Sequence, residues 1–167
     1  MSIEIVRNYL KQFQAEQNIL EFPVSSATVE LAAEAVGCIP ARIAKTLSFY
    51  DKDGGCLLVI AAGDAKIDNS KFKQTFGHKA KMLSPDDVET MTGHAIGGVC
   101  PFGVPAQTAV YLDQSLQRFD TVFPAACSIR SRIRFRNTLQ IFQFLHLIQF
   151  PQILQLFQIL QLFQILQ

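Results

Sequence analysis

Charge runs out before the chain does, and this limits where a fold can be built. Asp120 is the last acidic residue and Arg136 the last charged residue of 167. From residue 137 on there are only Gln, Leu, Ile and Phe, with one Asn, one Thr, one His and one Pro. A water-soluble domain needs a polar shell around its apolar interior, and only the earlier part of the chain can supply one. The segment up to Asp120 holds 11 basic residues and all 14 acidic ones, so the body is mildly acidic. Hydrophobic residues make up 49% and charged residues 17%, which excludes a disordered polyampholyte and a histone-like basic protein.

Along that body the pattern reads as an α+β domain. Ile5, Val6, Tyr9, Leu10 and Phe13 fall at helical spacing over residues 2–16. Ser25-Ser26 stands where a cap belongs for a helix from Thr28 to Val36 that stops at Gly37. Residues 43–50 alternate, reach Asp51-Lys52-Asp53-Gly54-Gly55 and resume at Cys56–Ala61, which predicts a hairpin. Asp68 or Asn69 opens a helix ending at Gly77, and Ser84-Pro85-Asp86-Asp87 opens another ending at Gly93. Lys79–Leu83, Thr108–Leu112 and Thr121–Ala125 are further strand candidates. No βαβ rhythm emerges, so the expected architecture is a central mixed, largely antiparallel sheet flanked by helices.

The end of the chain fits neither helix nor strand. Gln152, Gln155, Gln158, Gln161, Gln164 and Gln167 recur every third residue, so on a helix each is turned about 300° from the last and no polar face forms. Glutamine at that frequency disfavours a membrane span. The expectation is low-complexity, aggregation-prone sequence outside the domain core.

Three features of the body could carry chemistry. Lys45 shares a strand face with Ile43, Leu47 and Phe49, and a lysine on an apolar face binds an anion or polar ligand, or else snorkels from the sheet margin. Gly97-Gly98-Val99-Cys100-Pro101-Phe102-Gly103 lets backbone N–H groups approach a ligand, or is a plain surface loop. Lys66, Lys71, Lys73, Lys79 and Lys81, with His78, form a basic stretch that could meet a phosphate backbone or serve as a solvated helix face. Asp64 and Asp113 each follow a strand candidate. Cys38, Cys56, Cys100 and Cys127 are far apart, and His78, His94 and His146 add no ligand spacing, so zinc binding is not expected. No Cys/His/Asp arrangement supports Cys100 as a nucleophile. The first residues show no apolar leader, which makes the cytoplasm the default location.

Taken in order, SSATVELAAEAVGCIPARIAKTLSF, VIAAGDAKIDNSKFKQTFG, AKMLSPDDVETMTGHAIGGVCPFGVP and AVYLDQSLQRFDTVFPA closely resemble the YbaK/EbsC family of free-standing aminoacyl-tRNA deacylases. These are relatives of the editing domain of prolyl-tRNA synthetases. The resemblance implies hydrolysis of the ester on a mischarged tRNA, typically Cys- or Ala-tRNA(Pro) or another small amino acid, with no metal or organic cofactor. It also implies tRNA as partner, with prolyl-tRNA synthetase as a further one, and no membrane. Lys45, Gly97, Gly98 and Gly103 take the implied catalytic positions. Thr46, Cys100, Pro101, Phe102 and Asp113 take substrate-contacting ones, and the five lysines face tRNA. A catalytically silent tRNA- or nucleotide-binding module, or one that docks on a synthetase, is the alternative. After Val-Phe-Pro-Ala the resemblance stops, where a Gly-containing turn and an acidic terminus would follow. We therefore expect a domain over residues 1–126 and an atypical tail over 127–167, the product of a reading-frame shift near codon 126 or 127. Resequencing the coding DNA tests that origin.

Overall fold

The computed structural model describes residues 3–136 and 138–146. Its frame is the predicted hairpin, β2 (Ile43–Tyr50) antiparallel to β3 (Cys56–Ala62), in register from Ala44 opposite Ala62 to Tyr50 opposite Cys56. β4 (Ala109–Leu112) adds parallel to β3, and β5 (Phe123–Pro124) adds parallel to β2 at Ile43 and Ala44. The order β4-β3-β2-β5 is thus mixed, with its longest pairing antiparallel. β3 is buried at every residue because both sheet faces are covered.

Helices α2 (Val29–Val36) and α3 (Asn69–Phe76) cover one face. Ile43 packs with Ala32, Ala33 and Phe123, and Phe49 packs with Phe72. On the other face Ala44 and Ile60 meet Val6 and Leu10 of α1 (Ile3–Lys11), and Leu58 meets Val88 of α4 (Pro85–Thr92). Asp68 caps α3 by accepting from the Ser70 and Lys71 N–H groups, and Ser84 caps α4 by accepting from that of Asp87. For α2 the capping side chain is Thr28, not Ser25-Ser26. Ser25 accepts from Ala27 N–H in a tight turn, and the Ser26 hydroxyl donates to Ile129 O. Lys79–Leu83 makes only a single bridge, Met82 opposite Phe49, rather than a strand.

The core runs past the expected boundary at residue 126. β6 (Ser131–Ile133) pairs antiparallel with β1 (Ile19–Glu21), and Phe135 is fully buried beside Phe102. Helix α5 (Thr138–His146) then lays Ile141, Phe144 and Leu145 into the same core as Val6 and Leu10. The reason lies in spacing. These three recur at i, i+3 and i+4, which makes one apolar face over the turns that pack on the core, although the three-residue polar period is already present at Gln140 and Gln143. The low-complexity reading is of the tail from residue 127 on, and of that tail residues 147–167 lie outside the described residues. Among the described residues no helix is long and apolar enough to cross a membrane.

Tyr9 fastens α5 in place. Its hydroxyl donates to Phe144 O, and burial pushes its pKa up to about 12. Tyr9→Phe removes that bond, so a loss of about 1 kcal/mol is expected in denaturant unfolding. An unchanged midpoint would mean that α5 is not docked there.

Candidate functional site

Strand β2 has a gap along its outer edge. β5 covers it at Ile43 and Ala44, and the Met82 bridge covers it at Phe49, while the residues between have no strand partner on that side among the described residues. A cavity of about 310 Å³ opens at this gap. Because it opens at an edge, Lys45 and Thr46 both line it although their side chains leave opposite faces of the strand. Gly97, Val99, Ala125 and Arg132 complete the wall, with Val29, Met82, Leu83 and Val88 supplying apolar surface. No carboxylate, histidine or cysteine is among the described residues lining it.

Lys45 does sit on the apolar face, between the Ile43 and Phe49 clusters. It is half-buried, and its Nζ donates to Gly63 O at 2.9 Å and to Ala65 O. Two carbonyls take the place of the water that a buried ammonium would lose. The Thr46 Oγ1 beside it is buried with no hydrogen-bond partner, a polar group that lacks the bond such burial normally requires.

Arg132 is the residue that sequence reading missed. It is 5% exposed, one guanidinium nitrogen donates to Ser26 O, and Nε is buried without a partner. No acidic side chain pairs with it among the described residues, and burial pulls its pKa down to about 10. In sequence nothing sets it apart from Arg130, Arg134 and Arg136, all of which are exposed. Only the pairing of β6 with β1, opposite Leu20, and a bridge to Ala125 turn it inward.

The glycine loop divides in two. Gly97, at φ +80°, reaches the cavity with Val99. Gly98 instead packs against the Cys127 backbone, so closely that a Cβ there would meet it at 3.1 Å. Cys100 and Phe102 are fully buried in the core, Pro101 is buried beside them, and Gly103 lies against Ile5 of α1. None of these five lines the cavity. A loop read from its glycines looks exposed throughout, but its apolar half is core.

Asp113 caps the short 3-10 turn 114–118 by accepting from Ser115 N–H at 2.9 Å. It faces a separate groove of about 1110 Å³, shared with Lys66, Lys71 and Arg118. Arg118 holds Asp64 in a two-pronged pair that keeps its carboxyl below the usual range. Lys73 and Lys79 are exposed away from this groove, and the Lys81 ammonium stands 4.8 Å from the Tyr50 ring centroid. The basic stretch is therefore not one patch. The loop after β3 links groove and cavity, since Lys45 binds the carbonyls of Gly63 and Ala65 just before Lys66.

Residues 24–140 match the family described as the aminoacyl-tRNA editing domain. The chain belongs to that family. Among editing-domain relatives, the uncharacterized protein YwhH of Bacillus subtilis is 56% identical over 133 residues, 80% of this chain and 85% of YwhH. EbsC of Enterococcus faecalis, whose name assigns it provisionally as a Cys-tRNA(Pro)/Cys-tRNA(Cys) deacylase, is 30% identical over 100 residues, 59% of this chain and 61% of EbsC. A crystal structure assigned provisionally to a trans-editing enzyme for prolyl-tRNA synthetase superposes with a TM-score of 0.76 at 29% identity. It covers 87% of this chain and 92% of that one. The family match runs to residue 140 and so takes in β6 and the start of α5.

Proposed function

We propose that this editing-domain protein hydrolyses the ester joining a small amino acid to the 3′ end of a mischarged tRNA, acting as a free-standing enzyme. The observation that carries the reading is the cavity wall itself: Lys45, the unpartnered Thr46 hydroxyl, Gly97 and Arg132 without an acidic partner, with no cysteine, histidine or carboxylate among the described lining residues to act as nucleophile or base. Ester hydrolysis at such a site needs attack by water, which the neighbouring ribose hydroxyl can hold in place by a hydrogen bond. The carbonyl oxygen becomes negative as the tetrahedral intermediate forms, and fixed cations and N–H donors lower that barrier. The ribose oxygen leaves, taking a proton from water. Holding the terminal phosphate and the acyl group by separate contacts keeps the ester aligned for attack.

A cavity of about 310 Å³ is at the small end of ligand sites and suits a short acyl group on its apolar side. Cysteine, alanine or serine esters on tRNA(Pro) fit that chemistry, and the name given to EbsC favours cysteine. The Lys66–Lys71 groove is assigned to the tRNA backbone, and a synthetase that charges this tRNA is the natural partner. Lys66→Ala with Lys71→Ala should weaken tRNA binding and flatten its dependence on log salt by about 0.7–0.9 for each phosphate that is no longer neutralised. An unchanged slope would place the tRNA elsewhere.

The function is tested with purified protein and tRNA(Pro) charged in turn with cysteine, alanine and serine, following release of the amino acid. Turnover of at least one ester above the spontaneous rate is expected. Tight tRNA binding without turnover would instead establish the silent module.

A further inference from the structure

Beneath the cavity, the fold gathers three soft donors that are scattered in sequence. Cys100 Sγ lies 3.2 Å from Cys127 Sγ, and a ring nitrogen of His94 completes a group whose donor atoms all lie within 4.8 Å of one another. All three residues are buried, at 1%, 0% and 5% exposure for His94, Cys100 and Cys127. We propose that His94, Cys100 and Cys127 form a structural site for a single thiophilic d¹⁰ ion, Zn²⁺ or Cu⁺.

The geometry is close to what such an ion needs. Bonds of about 2.3 Å to sulfur and 2.0 Å to nitrogen put tetrahedral donors about 3.5–3.8 Å apart, so shifts of the order of 1 Å complete the site. One His94 nitrogen, Nδ1, accepts only a 3.3 Å bond from Cys100 N–H, and Nε2 is buried with no partner. Accepting that bond leaves Nδ1 unprotonated, so it can give its lone pair to the ion while giving up one weak hydrogen bond. Two sulfurs and one nitrogen form a soft donor set, for which three-coordinate Cu⁺ needs no further ligand and Zn²⁺ takes one more. Binding displaces the thiol protons to solvent and leaves both sulfurs as thiolates.

The position gives the ion a task. Cys100 belongs to the glycine loop and Cys127 to the turn between β5 and β6. Gly98 already backs onto the Cys127 carbonyl. A bound ion pins together the loop that presents Gly97 and the turn flanked by Ala125 and Arg132, so it holds two walls of the cavity from below. Sequence spacing could not show this, because the ligands are brought together by topology, and no CxxC or HxxxH motif marks them.

Cys127 also provides a clean variant. It sits at φ +58°, in the left-handed region, so Cys127→Gly deletes a ligand while relieving backbone strain that offsets part of the lost packing, and should fold. Reduced protein is stripped of metal and titrated in separate arms with Zn²⁺, with Co²⁺ as an absorbing stand-in for zinc, and with Cu⁺ under a competing chelator. The expected result is one equivalent bound in the Zn²⁺ or Cu⁺ arm, with thiolate-to-metal charge transfer for Co²⁺ if zinc is the ion. The melting temperature should rise with the bound metal. Cys127→Gly should lose at least about 100-fold in affinity and show no metal-dependent rise in melting temperature, while Cys38→Ser behaves as the parent. Binding of less than a tenth of an equivalent, undiminished binding by Cys127→Gly, or a Cys100–Cys127 disulfide that persists in the reduced preparation would each overturn the site.

Discussion

Gly63→Ala is expected to cost about 3 kcal/mol of folding stability and to lower deacylation with it. A Cβ at this position would stand 2.1 Å from Pro40 O, 3.0 Å from Pro40 C and 2.7 Å from Val29 Cγ1. Two of these atoms are backbone, and a backbone carbonyl cannot rotate aside as a side-chain tip can. Relief must come from moving the segment after β3 away from the turn that leads into β2. That segment carries Gly63 O and Ala65 O, the two acceptors of the Lys45 ammonium, so the strain passes directly to a cavity residue. Denaturant unfolding measures the first effect and the initial rate on a charged tRNA the second. A variant within about 1 kcal/mol of the parent would show that the β3 exit is much looser than its packing indicates. Gly55, where an added Cβ would meet only Asp51 Cβ at 3.8 Å, is the control with little expected change.

Lys45→Ala is expected to lower kcat/KM by about 100-fold or more, equivalent to about 2.7 kcal/mol of transition-state stabilisation. The ammonium has a structural task as well, because its removal leaves two carbonyls with one fewer donor. The roles separate in single-turnover measurements at saturating enzyme. If the charge acts on the substrate, the rate of ester cleavage falls even when all the tRNA is bound. Lys45→Arg, which keeps a cation but changes its shape and reach, should recover part of it. If Lys45 only braces the segment after β3, both variants should cleave bound substrate at the parental rate and differ only in melting temperature.

Much of this fold is legible in the residues, and the reasons are local. Asp68 and Ser84 declare two helix starts through their own side chains, and Asp-Gly-Gly between two apolar runs declares the hairpin. Lys45 stands out because strand alternation puts a charge among Ile43, Leu47 and Phe49, and that anomaly survives in the structure as an ammonium held by carbonyls. What sequence could not show depends on contacts between distant segments. The gap on β2 exists only because β5 is two residues long and Met82 bridges farther along. Arg132 is one of four alternating arginines until β1 pairs with β6. The glycine loop hides its split between cavity and core, since Cys100 and Phe102 turn inward only when α1 and Phe135 are there to receive them. Helix α5 was obscured by composition: residues 138–146 share both the vocabulary and the three-residue polar period of the segment that follows, and only the packing of Ile141, Phe144 and Leu145 on α1 and Phe135 marks them as core.

The most direct measurement is a crystal structure with adenosine carrying cysteine through a 3′ amide, which the enzyme cannot hydrolyse. The acyl group should lie in the cavity at the β2 edge, with its carbonyl near Gly97 and a polar contact to Lys45 or Arg132. Finding the ligand only in the Lys66–Lys71 groove, with the β2 cavity unfilled, would contradict the placement on which the proposed chemistry depends.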